Sequence, residues 1–182
     1  SGFMKIKQIQ NELILAKKVA FEAGDLLANK KNYLKKEIFS SSRDIKLDAD
    51  LISESLIKKS LLKQSKFPVL AEESGKSKES LDKTFWVVDP LDGTANYARG
   101  IPLCCVSIAL IHKLQPVLGV IYDFSNKNIY EGSAESEARL NGSIIKVSEV
   151  CTPSKGILLT GLPNNTDYSD STMLKMVRDF QR

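Results

Sequence analysis

Phe85-Trp86-Val87-Val88-Asp89-Pro90-Leu91-Asp92-Gly93-Thr94-Ala95-Asn96 is the stretch from which the fold class follows. Four apolar residues, 85–88, predict a short strand covered on both faces, because a continuous apolar run has no polar side to give to water. Pro90 lacks a backbone N–H, so the strand is expected to stop at Asp89. Asp92 and Gly93 then predict a turn, and Thr94 a helix N-cap. Asp89 and Asp92 thus stand three positions apart at the end of a buried strand. Two carboxylates on a rigid turn suit a hard cation such as Mg²⁺, which takes oxygen ligands and demands fixed geometry. An isolated Asp-Gly is more often an ordinary turn. The full string Asp-Pro-Leu-Asp-Gly-Thr is far rarer, arising by chance on the order of once in ten million start positions at about 5% usage per residue type.

A second acidic pair, Glu72-Glu73, follows another apolar run at residues 67–71. Two strand ends carrying carboxylates can converge at one edge of a sheet. Ala71-Glu72-Glu73-Ser74-Gly75 and Trp86 to Asn96 resemble the inositol monophosphatase family of Mg²⁺-dependent, lithium-sensitive phosphatases. That family also includes fructose-1,6-bisphosphatases and 3′(2′),5′-bisphosphate nucleotidases. The resemblance extends from the segment at residues 44–50 to about Gly161. It implies an α+β sugar-phosphatase fold of layered helices and antiparallel sheet, a Mg²⁺ cofactor and a homodimer. It also implies that Glu72, Asp89, Asp92 and the Leu91 carbonyl are metal ligands, and that Asp50 and Thr94 are the pair that activates water. Asp89, central between Glu72 and Asp92, is the natural bridging ligand. Backbone N–H groups of Gly93 and Thr94, opening a helix, can hold phosphate oxygens beside Asp92. Glu73 would support the ligand set or a third cation.

Composition fits this class. With 42% hydrophobic and 26% charged residues the chain can bury a core, and no apolar run approaches the length of a membrane span. No signal peptide is expected from the charged N-terminal region. Ser1-Gly2-Phe3 ahead of Met4 reads as a tag remnant. Three cysteines, two of them adjacent, form no disulfide framework, so a reducing cytoplasm is expected. The net charge of +4 is uneven: residues 1–66 hold 14 Lys/Arg against 8 Asp/Glu, and residues 67–182 hold 12 against 14. A basic half can attract a phosphorylated anion or nucleic acid, but lysines at helical spacing without interleaved aromatics read first as a solvated helix surface. Nucleic acid and membrane are therefore not expected partners.

In order, apolar residues from Ile6 to Leu27 recur at three- to four-residue steps and predict a helix over 5–30, with Gly24 marking close packing. A basic connection over 31–43 leads to a second helix over about 48–65, with Leu51, Leu56, Leu61 and Leu62 on its apolar face. Asp50 lies near its N-terminus, where the helix dipole favours a carboxylate, and a capping role is the plain alternative for Asp44, Asp48 or Asp50. Residues 75–83 predict a charged loop. Strands are expected over 101–114, ended by Gln115-Pro116, then over 117–122, 129–131 and 144–147, as an antiparallel meander with helices on one side. His112 reads as core or surface, and a zinc site is not expected.

The metal-bearing domain is expected over 4–150, and residues 151–182 are expected to begin a second, α/β domain whose remainder is absent. Family members run well beyond this point, and a Trp-Asp motif there supplies the Asp of a second metal site. The chain therefore reads as a fragment. Three functions follow: a Mg²⁺-dependent phosphatase of a small phosphorylated polyol such as inositol monophosphate, a 3′(2′),5′-bisphosphate nucleotidase, or a non-catalytic dimerisation scaffold that keeps a cation site.

Overall fold

A computed structural model describes residues 4–29, 37–40, 45–71 and 83–157, together with 171, 175 and 178. The chain divides into two compact units, Ser1–Ile145 and Lys146–Arg182. Among the described residues of the second unit are a short 3₁₀ turn, Pro153–Lys155, and helical positions at 171, 175 and 178.

The first unit sets two helices against one face of a sheet. Helix α1 spans Ile6–Asn29 and α2 spans Asp48–Gln64. Between them β1 (Glu37–Ser40), inside the segment 31–43 expected to be a plain connection, pairs antiparallel with β2 (Ile45–Leu47) just after it. The main sheet runs β3 (Val69–Ala71), β4 (Thr84–Asp92), β5 (Cys105–His112), β6 (Gln115–Asp123), β7 (Asn128–Ser133), β8 (Ser136–Leu140) and β9 (Ser143–Ile144), each strand beside the next. Val106, Ile108 and Leu110 of β5 and Leu118, Val120 and Tyr122 of β6 alternate inward and join Val19, Ala23 and Leu27 of α1 in the core. The α+β architecture is the one the residue pattern predicts.

Several local expectations are corrected. The expected meander, β5 to β9, is antiparallel throughout, but the sheet as a whole is mixed: β3 and β4 run parallel, with Ala71 opposite Val88. Parallel strands end at the same sheet edge, which is what brings two strand termini together. β4 does not stop at Asp89 but continues to Asp92. Pro90 is accommodated because the ladder shifts register between Asp89 and Asp92, so no N–H is needed there. β5 starts at Cys105 rather than 101, and Gln115-Pro116 opens β6 instead of ending β5. The reversal is made by Lys113 and Leu114, both at positive φ, a hairpin without the usual Gly or Asn signal. β8 was not expected, and the last edge strand is Ser143–Ile144 instead of 144–147. On α2, Leu61 is buried but Leu51 and Leu62 are about half exposed, at 47% and 54%. Ala49, Ser53 and Ile57 take the buried face, since the helix turns small and polar residues toward β4.

Gly24 marks a close approach. A Cβ there would fall on the Tyr122 ring and 2.9 Å from Phe124 Cβ. Gly24→Ala gains about 1 kcal/mol of helix propensity but forces the core apart at a cost of roughly 1–3 kcal/mol. The expected outcome is a lower thermal midpoint by circular dichroism. An unchanged or raised midpoint would contradict the packing described.

Candidate active site

The site forms where α2, the end of β4 and a short helix meet. Helix α3 (Thr94–Arg99) follows β4 directly. Gly93, at φ +85°, is its N-cap, and the cap makes no side-chain hydrogen bond. Thr94 is therefore not the cap but the first helical residue. Its hydroxyl is turned elsewhere, to Asp50 Oδ1 at 2.7 Å, with the Leu91 carbonyl at 3.0 Å. A hydroxyl has one proton, and the shorter contact to the carboxylate is the charge-assisted one.

The register shift in β4 decides where the carboxylates point. Asp89 pairs with Ser107 and Asp92 with Cys105, so three steps on β4 oppose two on β5. In a regular strand, residues three apart face opposite sides. The extra residue restores parity, and Asp89 and Asp92 oppose residues of one face of β5. Asp89 Oδ1 accepts the Leu91 N–H at 3.2 Å, which holds the bulge in shape. The Pro90 carbonyl accepts the hydroxyl of buried Ser53 at 2.8 Å. Asp50 and Ser53 lie one turn apart on α2, so one helix face grips both the bulge and Thr94. Asp50 is only 4% exposed.

Gly93 and Asn96 of the motif, and Tyr97 directly after it, have structural work. The space that Gly93 leaves is filled by the Leu103 carbonyl, 2.6 Å from where a Cβ would sit. Asn96 Nδ2 donates to the same carbonyl at 2.8 Å. Tyr97, fully buried, donates its hydroxyl to the Leu27 carbonyl at 2.8 Å. That carbonyl lies in the last turn of α1, where intrahelical partners run out. Burial, with the neighbouring Cys104 and Asp50, pushes the Tyr97 phenol up to about 12, so it stays a donor.

Asp50, Asp89, Leu91, Asp92, Gly93 and Thr94 are thus brought to one place. Glu72 and Glu73 lie outside the described residues; β3 ends at Ala71, immediately before them. Among the described residues no group of three His, Cys, Asp or Glu side chains converges as a metal site. Ser53, Asn96 and Cys105 were not singled out from the sequence. A single serine in a helix, or a cysteine in a strand, carries no positional signal of its own. His112 meets Thr84 Oγ1 through Nδ1 at 2.7 Å, at the far end of the β4–β5 ladder.

The donor set fits a hard divalent cation. Asp89, Asp92 and the Leu91 carbonyl, which keeps a second lone pair beside its contact with Thr94, offer oxygen only. A soft donor also lies nearby: Cys105 Sγ is 3.8 Å from Asp92 Oδ2. Burial, followed by Asp92 and Asp89, pushes its thiol up to about 12.

The sequence pattern of the inositol monophosphatase family matches residues 8–181, and the chain belongs to that family. It is 30% identical over 179 residues to a fructose-1,6-bisphosphatase/inositol-1-monophosphatase of Aquifex aeolicus, covering 96% of this chain and 67% of that protein. It is 37% identical over 163 residues to Nus factor SuhB of Xylella fastidiosa, covering 88% of this chain and 58% of that protein. The solved inositol monophosphatase of Anabaena superposes with a TM-score of 0.71 at 34% identity, over 81% of this chain and 54% of that one. The chain spans about half to two-thirds of the length of these three relatives.

Cysteine reactivity follows the thiolate population. In metal-free buffer at pH 8, iodoacetamide is expected to label exposed Cys151 well before Cys105, read by peptide mass spectrometry. Equal rates would contradict the environment described for Cys105.

Proposed function

We propose that this chain carries the metal and water-activating side of a Mg²⁺-dependent phosphomonoesterase acting on a small phosphorylated polyol such as inositol monophosphate. The observation that carries the reading is the 2.7 Å hydrogen bond from Thr94 to buried Asp50, placed beside the Asp89–Asp92 bulge. Family membership and the names of the relatives support the reaction class. Asp89, Asp92 and the Leu91 carbonyl, with Glu72, the residue that follows β3 in sequence, would hold the cation. Mg²⁺ when bound supplies a Lewis acid that offsets phosphate charge and acidifies water.

The chain's own residues then do two things. Thr94 Oγ accepts a proton from the attacking water as its own proton passes to Asp50 Oδ1, the acceptor it already faces. Asp50 stands in the first turn of α2, where the helix dipole favours an acidic residue. The N–H groups of Gly93 and Thr94, at the start of α3, orient phosphate oxygens. Phosphate-monoester hydrolysis is among the slowest uncatalysed reactions, so these electrostatic contributions must be large. The thiols are free, which suits the reducing cytoplasm proposed as its compartment.

Phosphate release is to be measured on the 182-residue chain and on the longest product of its gene, with and without Mg²⁺. Inositol 1-phosphate, fructose 1,6-bisphosphate and adenosine 3′,5′-bisphosphate form the panel. The expected result is Mg²⁺-dependent release with inositol 1-phosphate preferred. Preference for the adenosine bisphosphate would favour a nucleotidase. No release from any substrate, with Mg²⁺ still bound, would favour a non-catalytic module. Asp92→Asn is expected to lower release by about 10²-fold or more and to leave the thermal midpoint little changed, because Asp92 is exposed. A large loss of stability would instead assign Asp92 a structural turn role.

A further inference from the structure

A crevice of about 620 Å³ opens between the N-terminal half of α1 and the last residues of α2. Its walls include Lys5, Lys7, Lys18 and Ile14, with Gln64 from the end of α2. Ile14 is 67% exposed, although it sits in the middle of a helix that buries eight residues. A branched apolar side chain this exposed contributes little to folding.

The charges are also placed against stability. The first turn of α1 contains no acidic residue. Two lysines at that end meet the positive pole of the helix, where a cation is unfavourable. Among the described residues neither Lys5 nor Lys7 has a carboxylate within 4.0 Å. Among the described residues Lys18 has only an exposed contact to Glu22, at 3.9 Å. The carboxylate in the wall is Glu12, whose pKa is raised, first by burial, against the lowering effects of Ser65 and Lys66.

We infer that this crevice docks an acidic protein segment that inserts one apolar side chain against Ile14. Carboxylates of the partner would neutralise Lys5, Lys7 and Lys18, and the amides of Gln8, Asn11 and Gln64 suit its backbone. Nucleic acid fits less well, because no aromatic ring lines the crevice for bases to stack on. The surface is separate from the candidate active site. Gln64 and Asp50 lie fourteen residues apart on α2, roughly 21 Å at 1.5 Å per residue.

The test is selection of a random twelve-residue peptide library on the 182-residue chain, with affinities then measured by fluorescence anisotropy. Enriched peptides are expected to carry several Asp or Glu around one large apolar residue. Ile14→Ser and Lys7→Glu are each expected to weaken their binding by about tenfold or more, with circular dichroism and any phosphate release unchanged. Both positions are on the surface, so both variants should fold. Three results would overturn the inference: no acidic enrichment, equal affinity in both variants, or a twelve-nucleotide RNA that binds more tightly than the peptides and responds to Lys7→Glu but not to Ile14→Ser.

Discussion

A hydrogen bond between residues 44 positions apart, from Thr94 to Asp50, joins the two halves of the first unit at the point where chemistry is proposed. A carboxylate as buried as Asp50 costs several kcal/mol in desolvation unless it is paired or hydrogen-bonded. That requirement fixes how far α2 can move relative to the end of β4. Ser53, one turn on, adds a second tether to the Pro90 carbonyl. The bulge therefore cannot relax into a regular ladder without stranding a buried hydroxyl and a buried carboxylate together. Because the bulge sets the parity of β4, the same constraint decides that Asp89 and Asp92 oppose one face of β5.

The remainder of the motif holds that arrangement from the other side. Gly93 permits both the left-handed turn and the approach of the Leu103 carbonyl, and Asn96 binds that carbonyl. Tyr97 ties α3 to the last turn of α1. The motif is thus only partly about ligands. Asp89, Asp92 and Thr94 face the proposed chemistry, while Gly93, Asn96 and Tyr97 keep the loop and helix around them in place.

The apolar run at 85–88 was legible as a buried strand because Phe85, Trp86 and Val88 bury both of its faces. The two long helices were legible from their periodicity. What escaped the sequence depended on tertiary context. A proline normally ends a ladder, and nothing local to Pro90 announces that a register shift will carry the strand past it. Thr94 reads as a cap because threonine commonly is one; its hydroxyl is instead drawn to a carboxylate supplied by a distant helix. Lys113 and Leu114 take a turn that local chemistry disfavours, so the hairpin is imposed by the pairing of β5 with β6. Leu51 and Leu62 look like core residues in a helical repeat, yet the buried face is the one carrying Asp50 and Ser53. The polar site displaced the leucines from the position that hydrophobicity alone would give them.

The account stands on the coupling of Asp50 to Thr94. A double-mutant cycle of Asp50→Asn and Thr94→Val, followed by urea unfolding of the 182-residue chain, measures it directly. Hydrogen bonds to charged groups contribute about 1.5–3 kcal/mol, so a coupling free energy above about 1 kcal/mol is the predicted result. Additive single and double variants, with no coupling, would show that the two side chains act independently and would contradict the account.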